Sequence, residues 1–159
     1  MFDAFARRRL YWASPKPMRF MGLDVGERRI GIALSDELGM IASPWESLQR
    51  VSLQKDVARL TELASRERVT EILVGMPLSL DGSYGPQAKK VTRFIHALRE
   101  DCGVEVTPWD ERFTTVAAER ALLEGDLSRS RRRRVVDKVA AALLLQGYLD
   151  YRSRKQAVE

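Results

Sequence analysis

The feature that most narrows the possible folds is a change of hydrophobic period part-way along the chain. From Arg19 to Ser35 apolar residues recur at every second position. Met21, Leu23 and Val25 fall on one side of an extended segment, and Phe20, Gly22 and Asp24 on the other. After a turn at Gly26-Glu27-Arg28, Ile30, Ile32 and Leu34 alternate with Arg29, Gly31, Ala33 and Ser35. A period of two belongs to a strand, because successive side chains point to opposite faces of a sheet. The two runs predict an antiparallel hairpin with one apolar face. Met40 to Leu48 predicts a third strand, placed at an edge because Pro44 has no amide hydrogen to give to a ladder.

Beyond Val51 the period lengthens. Ser52 is placed to cap a helix reaching Arg66, with Val57, Leu60, Leu63 and Ala64 along one stripe. Thr70 to Val74 is a short unbroken apolar run of the kind buried on both faces, and Gly75-Met76-Pro77 ends it. Ser79 to Gly85 reads as a loop turning at Asp81-Gly82, and Pro86 opens a helix whose Ala88, Val91, Ile95 and Leu98 share a face. Val104 to Pro108 predicts another strand, Thr114 to Leu123 a helix, and Arg131 to Arg152 a long final helix. A meander followed by alternating strands and helices predicts an α/β protein, a mixed sheet flanked by helices.

Residues 1–17 stand apart. They hold Arg7-Arg8-Arg9 and then Ser14-Pro15-Lys16-Pro17, which resists helix and strand alike, so a flexible tail is expected, with Met18 and Met21 as alternative starts. No apolar stretch suited to a secretory signal follows the arginines. Residues 18–152 are expected to form one domain and 153–159 a second tail, with no internal repeat.

Composition removes several function classes. Apolar residues make up 45% and charged residues 31%, a balance that suits a packed core rather than a disordered chain. No uncharged apolar stretch reaches the length of a membrane-spanning helix, so a cytoplasmic setting is expected. The single cysteine, Cys102, cannot form an internal disulfide, and with one histidine, His96, neither a zinc cluster nor a Ser-His-Asp triad can be assembled convincingly. The net charge is +5, and Arg129, Arg131, Arg132, Arg133 and Arg134 crowd into one short segment. The planar guanidinium fork matches phosphate, so this segment points to nucleic acid. A solvated helix start is the plainer alternative.

Three acids stand out against their surroundings. Asp24 sits within an apolar strand between Leu23 and Val25, with glycines two steps away on the same face. A buried carboxylate requires a cation, a donor array or a metal, and the glycines leave space for a ligand to approach the backbone. Backbone amides of the hairpin are the competing partner. Asp110-Glu111 follows a predicted strand, at the sheet end where open α/β sheets bind ligands; a capping role for Thr114 or Thr115 competes, more for Asp110 than for Glu111. Asp137 shares the helical stripe of Ala140, Ala141, Leu144 and Tyr148 that should face the sheet, although an acid early in a helix also gains from the helix dipole. Such an oxygen-only set suits Mg²⁺ or Mn²⁺.

Gly22-Leu23-Asp24-Val25-Gly26, Val74-Gly75-Met76-Pro77-Leu78 with Asp81-Gly82, Asp110-Glu111-Arg112-Phe113-Thr114-Thr115 and Val136-Asp137-Lys138-Val139-Ala140-Ala141 occur in this order. Together they resemble the YqgF family, Holliday junction resolvase-like proteins also described as pre-16S ribosomal RNA processing nucleases. The resemblance runs from about Arg19 to Tyr151. It implies an RNase H-like fold with a five-stranded mixed sheet, an antiparallel three-strand meander followed by two parallel strands. It also implies a metal-dependent endonuclease of the bacterial cytoplasm that uses one or two Mg²⁺ or Mn²⁺ ions. The family's acidic residues fall on Asp24, Glu111 and Asp137, as catalytic residues and metal ligands, with Arg112, Arg129 and Arg131 to Arg134 expected on phosphates. The implied role is trimming of the 5′ end of pre-16S ribosomal RNA in ribosome biogenesis, with ribosomal particles as partners. A Holliday junction resolvase, acting as a dimer rather than a monomer, is the alternative; a non-catalytic nucleic-acid-binding module is a further rival. An actin-like ATPase would need a second phosphate loop and a second lobe. Residues 1–17 have no family counterpart, and Arg134 stands where many relatives carry lysine.

Overall fold

Strand β1 (Arg19–Val25) lies at the centre of a five-stranded sheet, and every residue from Phe20 to Val25 is buried. The computed structural model describes residues 16–113 and 129–158. The helix expected over 114–123 and residues 1–15 of the expected tail lie outside them. β1 pairs antiparallel with β2 (Arg29–Ser35) and parallel with β4 (Val69–Met76). β2 continues antiparallel to β3 (Ala42–Gln49), and β4 parallel to β5 (Glu105–Asp110), giving the order β3-β2-β1-β4-β5. This is the mixed sheet anticipated above. β3 is an edge strand, and Pro44 falls where the register with β2 slips between Ile32 and Ala33. A bulge there spares the ladder a missing donor.

Alternation along β1 and β2 divides the interior into two layers. Met21, Leu23, Val25, Ile30, Ile32 and Leu34 face helices α1 (Leu53–Arg66) and α2 (Pro86–Cys102). The Ser52 hydroxyl accepts from the Lys55 amide at 3.2 Å, as its capping position predicts. Phe20, Ala33 and Leu73 face α3 (Arg129–Val158), against Ala140, Ala141, Leu144, Leu145 and Leu149. α3 continues through 153–158, a stretch assigned above to a tail; it contains no glycine or proline to stop a helix.

The small residues of this second layer let a helix, not a ligand, approach the sheet. A Cβ on Gly22 would stand 2.8 Å from Leu145 Cβ and 3.0 Å from the Ala141 carbonyl oxygen, and one on Gly31 would overlap the backbone carbonyl of Asp137. The expectation that a ligand uses the space above Gly22 is therefore corrected: α3 fills it.

At the other end of the α3 layer, Glu71 accepts from the Thr107 hydroxyl at 2.8 Å and from the Tyr148 hydroxyl at 3.0 Å. Burial, reinforced by the charge of Glu71, pushes the Tyr148 phenol up to about 12. The folded chain keeps this proton where an unfolded phenol, near pH 10, has lost it. Its contribution to stability is complete below about pH 10 and is lost as pH rises through the folded value. Tyr148→Phe is expected to cost about 1 kcal/mol at pH 8, allowing for partial solvent screening. It should also remove one late step from the alkaline absorbance titration; a parent protein whose tyrosines all ionise near pH 10 would contradict this.

Candidate active site

The carboxyl ends of β1, β4 and β5 lie together at one end of the sheet, where parallel pairing on one side of β1 gives way to antiparallel pairing on the other. In α/β sheets such a reversal opens a crevice. Asp24 occupies it, 9% exposed, on the face covered by α3. Its register partner on β2 is Gly31, and one step beyond the pairing of Leu23 with Val74 brings Gly75 to its other side. Asp24 therefore lies between two residues that have no side chain.

Each glycine is covered by a different segment carrying an acid. Over Gly31 lies the backbone of Asp137, and over Gly75 lies Glu111, with Oε1 2.6 Å from where a Cβ would stand. Asp24, Glu111 and Asp137 are thus brought to one face and one end of the sheet. Gly31 and Gly75 are the residues that sequence reasoning passed over; their signal is a glycine at an inward-facing position on each strand beside Asp24.

Glu111 opens a short 3-10 turn (Glu111–Phe113) directly after β5. Burial, and then the neighbouring charge of Asp110, push its carboxyl up. A carboxylate so placed gains from a nearby cation. Asp110 behaves differently. Its oxygens accept from the Arg112 amide at 2.9 Å and from the Arg112 guanidinium at 2.7 Å, and those hydrogen bonds hold it below the usual carboxylate range. Arg112 also donates to the Leu80 carbonyl at 3.2 Å, and a Cβ added to Gly82, which stands at φ +84°, would lie 3.5 Å from the same guanidinium. Arg112, expected on phosphate, thus braces the loop after β4 against the end of β5.

Asp137 is held by a partner no sequence pattern suggested. Arg29 Nε lies 2.6 Å from its Oδ2, and the Ser47 hydroxyl donates to the same oxygen at 3.3 Å. Both partners stand on the β2–β3 side, whereas Glu111 lies over β4. Arg131, Arg133 and Arg134 are exposed and Arg132 is half-buried. Arg133 lines a cleft of about 440 Å³ with Gly26, Glu27, Arg28, Arg29 and Asp137. A cleft of similar size, about 470 Å³, lies on the opposite face beside the Arg50–Asp56 ion pair, in which buried Asp56 accepts from Arg50 at 3.1 Å and from the Val51 amide at 3.0 Å. That pair joins β3 to α1 and lies on the side away from Asp24.

The donor chemistry around Asp24 suits a hard divalent cation, since the acids nearest it bring carboxylate oxygens and neither histidine nor thiolate. The arrangement suits one less fully. Among the described residues no group of three His, Cys, Asp or Glu side chains is close enough to hold a metal, and Asp137 is engaged with Arg29.

Residues 18–151 match the family model described as RuvX, Holliday junction resolvase. A protein of Symbiobacterium thermophilum described as "Putative pre-16S rRNA nuclease" is 53% identical over 138 residues, covering 87% of this chain and 96% of its own length. One of Clostridium tetani with the same description is 46% identical over 133 residues, covering 84% and 96%. Among solved structures, Thermus thermophilus RuvC in complex with Holliday junction substrate aligns with TM-score 0.54 at 19% identity, over 84% of this chain and 96% of the other. That likeness establishes the fold, an RNase H-like one.

Proposed function

We propose, from the premise that this chain belongs to the RuvX family, that it is a nuclease hydrolysing phosphodiester bonds in structured nucleic acid, with the 5′ end of pre-16S ribosomal RNA as its substrate. The observation that carries this reading is the placing of Asp24 between Gly31 and Gly75, with Asp137 and Glu111 over them. Asp24, Glu111 and Asp137 are the residues that would hold Mg²⁺ or Mn²⁺, as one ion or two. Such an ion supplies a water of lowered pKa and neutralises charge on the reacting phosphate.

The chain's own contribution is positioning. Asp24 is fixed by a central strand paired on both sides, and Glu111 by a turn that Asp110 and Arg112 hold closed. Arg129 and Arg131 to Arg134, on the first turns of α3, would hold phosphates beside the site. Arg112 would reach a phosphate from its solvent edge while keeping Asp110. The activity belongs to one domain over 18–152, working in the cytoplasm on free precursor RNA or on ribosomal particles, as a monomer or homodimer. Among the described residues no helix is long and apolar enough to cross a membrane.

The description of the family as Holliday junction resolvases favours a second reading, cleavage of four-way DNA. Two symmetric incisions would then require a dimer. The deciding experiment offers the protein both substrates, a precursor ribosomal RNA carrying its 5′ extension and a four-way DNA junction, with Mg²⁺, with Mn²⁺ and with a chelator. Specific RNA cleavage that stops on chelation is the expected result. Paired incisions in the junction with intact RNA would replace the first reading by the second, and cleavage undiminished by chelation would remove the metal.

A further inference from the structure

The ion pair between Arg29 and Asp137 bears on how the site responds to its substrate. Arg29 is the first residue of β2, on the same face as Gly31, and its guanidinium lies 2.6 Å from Asp137. The pair is not deeply buried, with side chains 25% and 18% exposed. Exposed enough to exchange partners, it borders the cleft that also contains Arg28 and Arg133. Three arginines there face two acids, and one of those, Glu27, is paired outward with Lys90 at 3.3 Å. The cleft is thus biased toward an anion. A phosphodiester fits the guanidinium fork as well as a carboxylate does.

We propose that Arg29 is a handover residue. In the protein without nucleic acid it occupies the Asp137 carboxylate and holds it on the β2–β3 side. A backbone phosphate of the substrate, seated between the β1–β2 turn and α3 with Arg28 and Arg133, draws Arg29 away and frees Asp137 to join Asp24 and Glu111 around a divalent cation. The inference rests on the nuclease reading above and adds a phosphate seat and an order of events. No covalent bond changes; one ion pair is exchanged for another. Because coupling between two ligands is reciprocal, nucleic acid should strengthen cation binding and the cation should strengthen nucleic-acid binding.

The test measures Mn²⁺ binding by the full chain, by electron paramagnetic resonance, with and without a phosphorothioate RNA stem-loop that resists cleavage. A rise in Mn²⁺ affinity of about 5-fold or more on adding the RNA is expected, the lower end of ordinary coupling. In Arg29→Gln, Mn²⁺ should bind more tightly without RNA, the coupling should fall toward unity, and the salt slope of RNA binding should drop by about 0.7–0.9. Arg29→Lys keeps the charge and should keep the slope, which a purely bracing role for Arg29 would not explain. Equal Mn²⁺ affinity with and without RNA in the unmodified protein overturns the proposal, whatever the folding of the variants. So does an unchanged slope in folded Arg29→Gln. Asp24→Asn separates the two levels: lost cleavage without coupling overturns the handover alone, whereas undiminished cleavage removes the nuclease site and the handover together.

Discussion

Asp24→Asn is expected to lower phosphodiester cleavage by on the order of 10³-fold while leaving a folded protein that still binds nucleic acid. Loss of one positioned group that stabilises transition-state charge ordinarily costs about 10²–10³-fold. Asp24 should reach the upper end, because it alone lies between the segments bearing the other two acids. The amide has the same shape as the carboxylate, so packing against α3 is retained. A charge within an apolar strand is also removed, so the melting temperature should hold or rise, the usual exchange of stability against activity at such sites. Single-turnover cleavage beside a thermal melt is the measurement. Turnover within about tenfold of the parent, in a variant that melts normally, would dismiss Asp24 from the chemistry and leave only the scaffold.

Gly31→Ala is expected to cost about 3 kcal/mol or more in stability, the upper end for overpacking a core. Its added methyl group meets the backbone carbonyl of Asp137, and a helix backbone cannot rotate aside as a side chain can. α3 must lift from β2, and with it Asp137 leaves its station. For a domain of this size the loss corresponds to a drop in melting temperature of roughly 10 °C. Gly22→Ala provides the graded comparison. Its methyl would meet Leu145 Cβ at 2.8 Å and the Ala141 carbonyl oxygen at 3.0 Å, a milder conflict, and it should be the less damaging of the two. A Gly31→Ala protein as stable as its parent would mean that α3 does not rest on β2 as described.

The two substitutions probe different parts of what could be read in advance. Period-two alternation over 19–35, with Pro44 marking an edge, was enough to place three strands, because a strand's two faces are written locally. Ser52 and Pro86 marked helix starts for equally local reasons. Asp24 could be singled out because a carboxylate between Leu23 and Val25 contradicts its own environment. The glycines were harder. That small residues clear space is legible; what enters the space is not, and α3 rather than a ligand covers Gly22 and Gly31. Arg112 illustrates the same difficulty. Its neighbours in the chain do not reveal that it also reaches the Leu80 carbonyl on a separate loop, a contact that depends on how that loop is placed.

By itself the sequence determined the order of elements, the two-faced sheet and the acids that do not suit their neighbours, since each depends on residues within a few positions of one another. Only the tertiary structure decided that Arg29 would reach Asp137, 108 residues away, and that Gly31 and Gly75 would flank Asp24 from separate strands. Those pairings arise from the register of the sheet and the seat of α3. Many weak packing contacts set both at once, and no local stretch of chain carries that information.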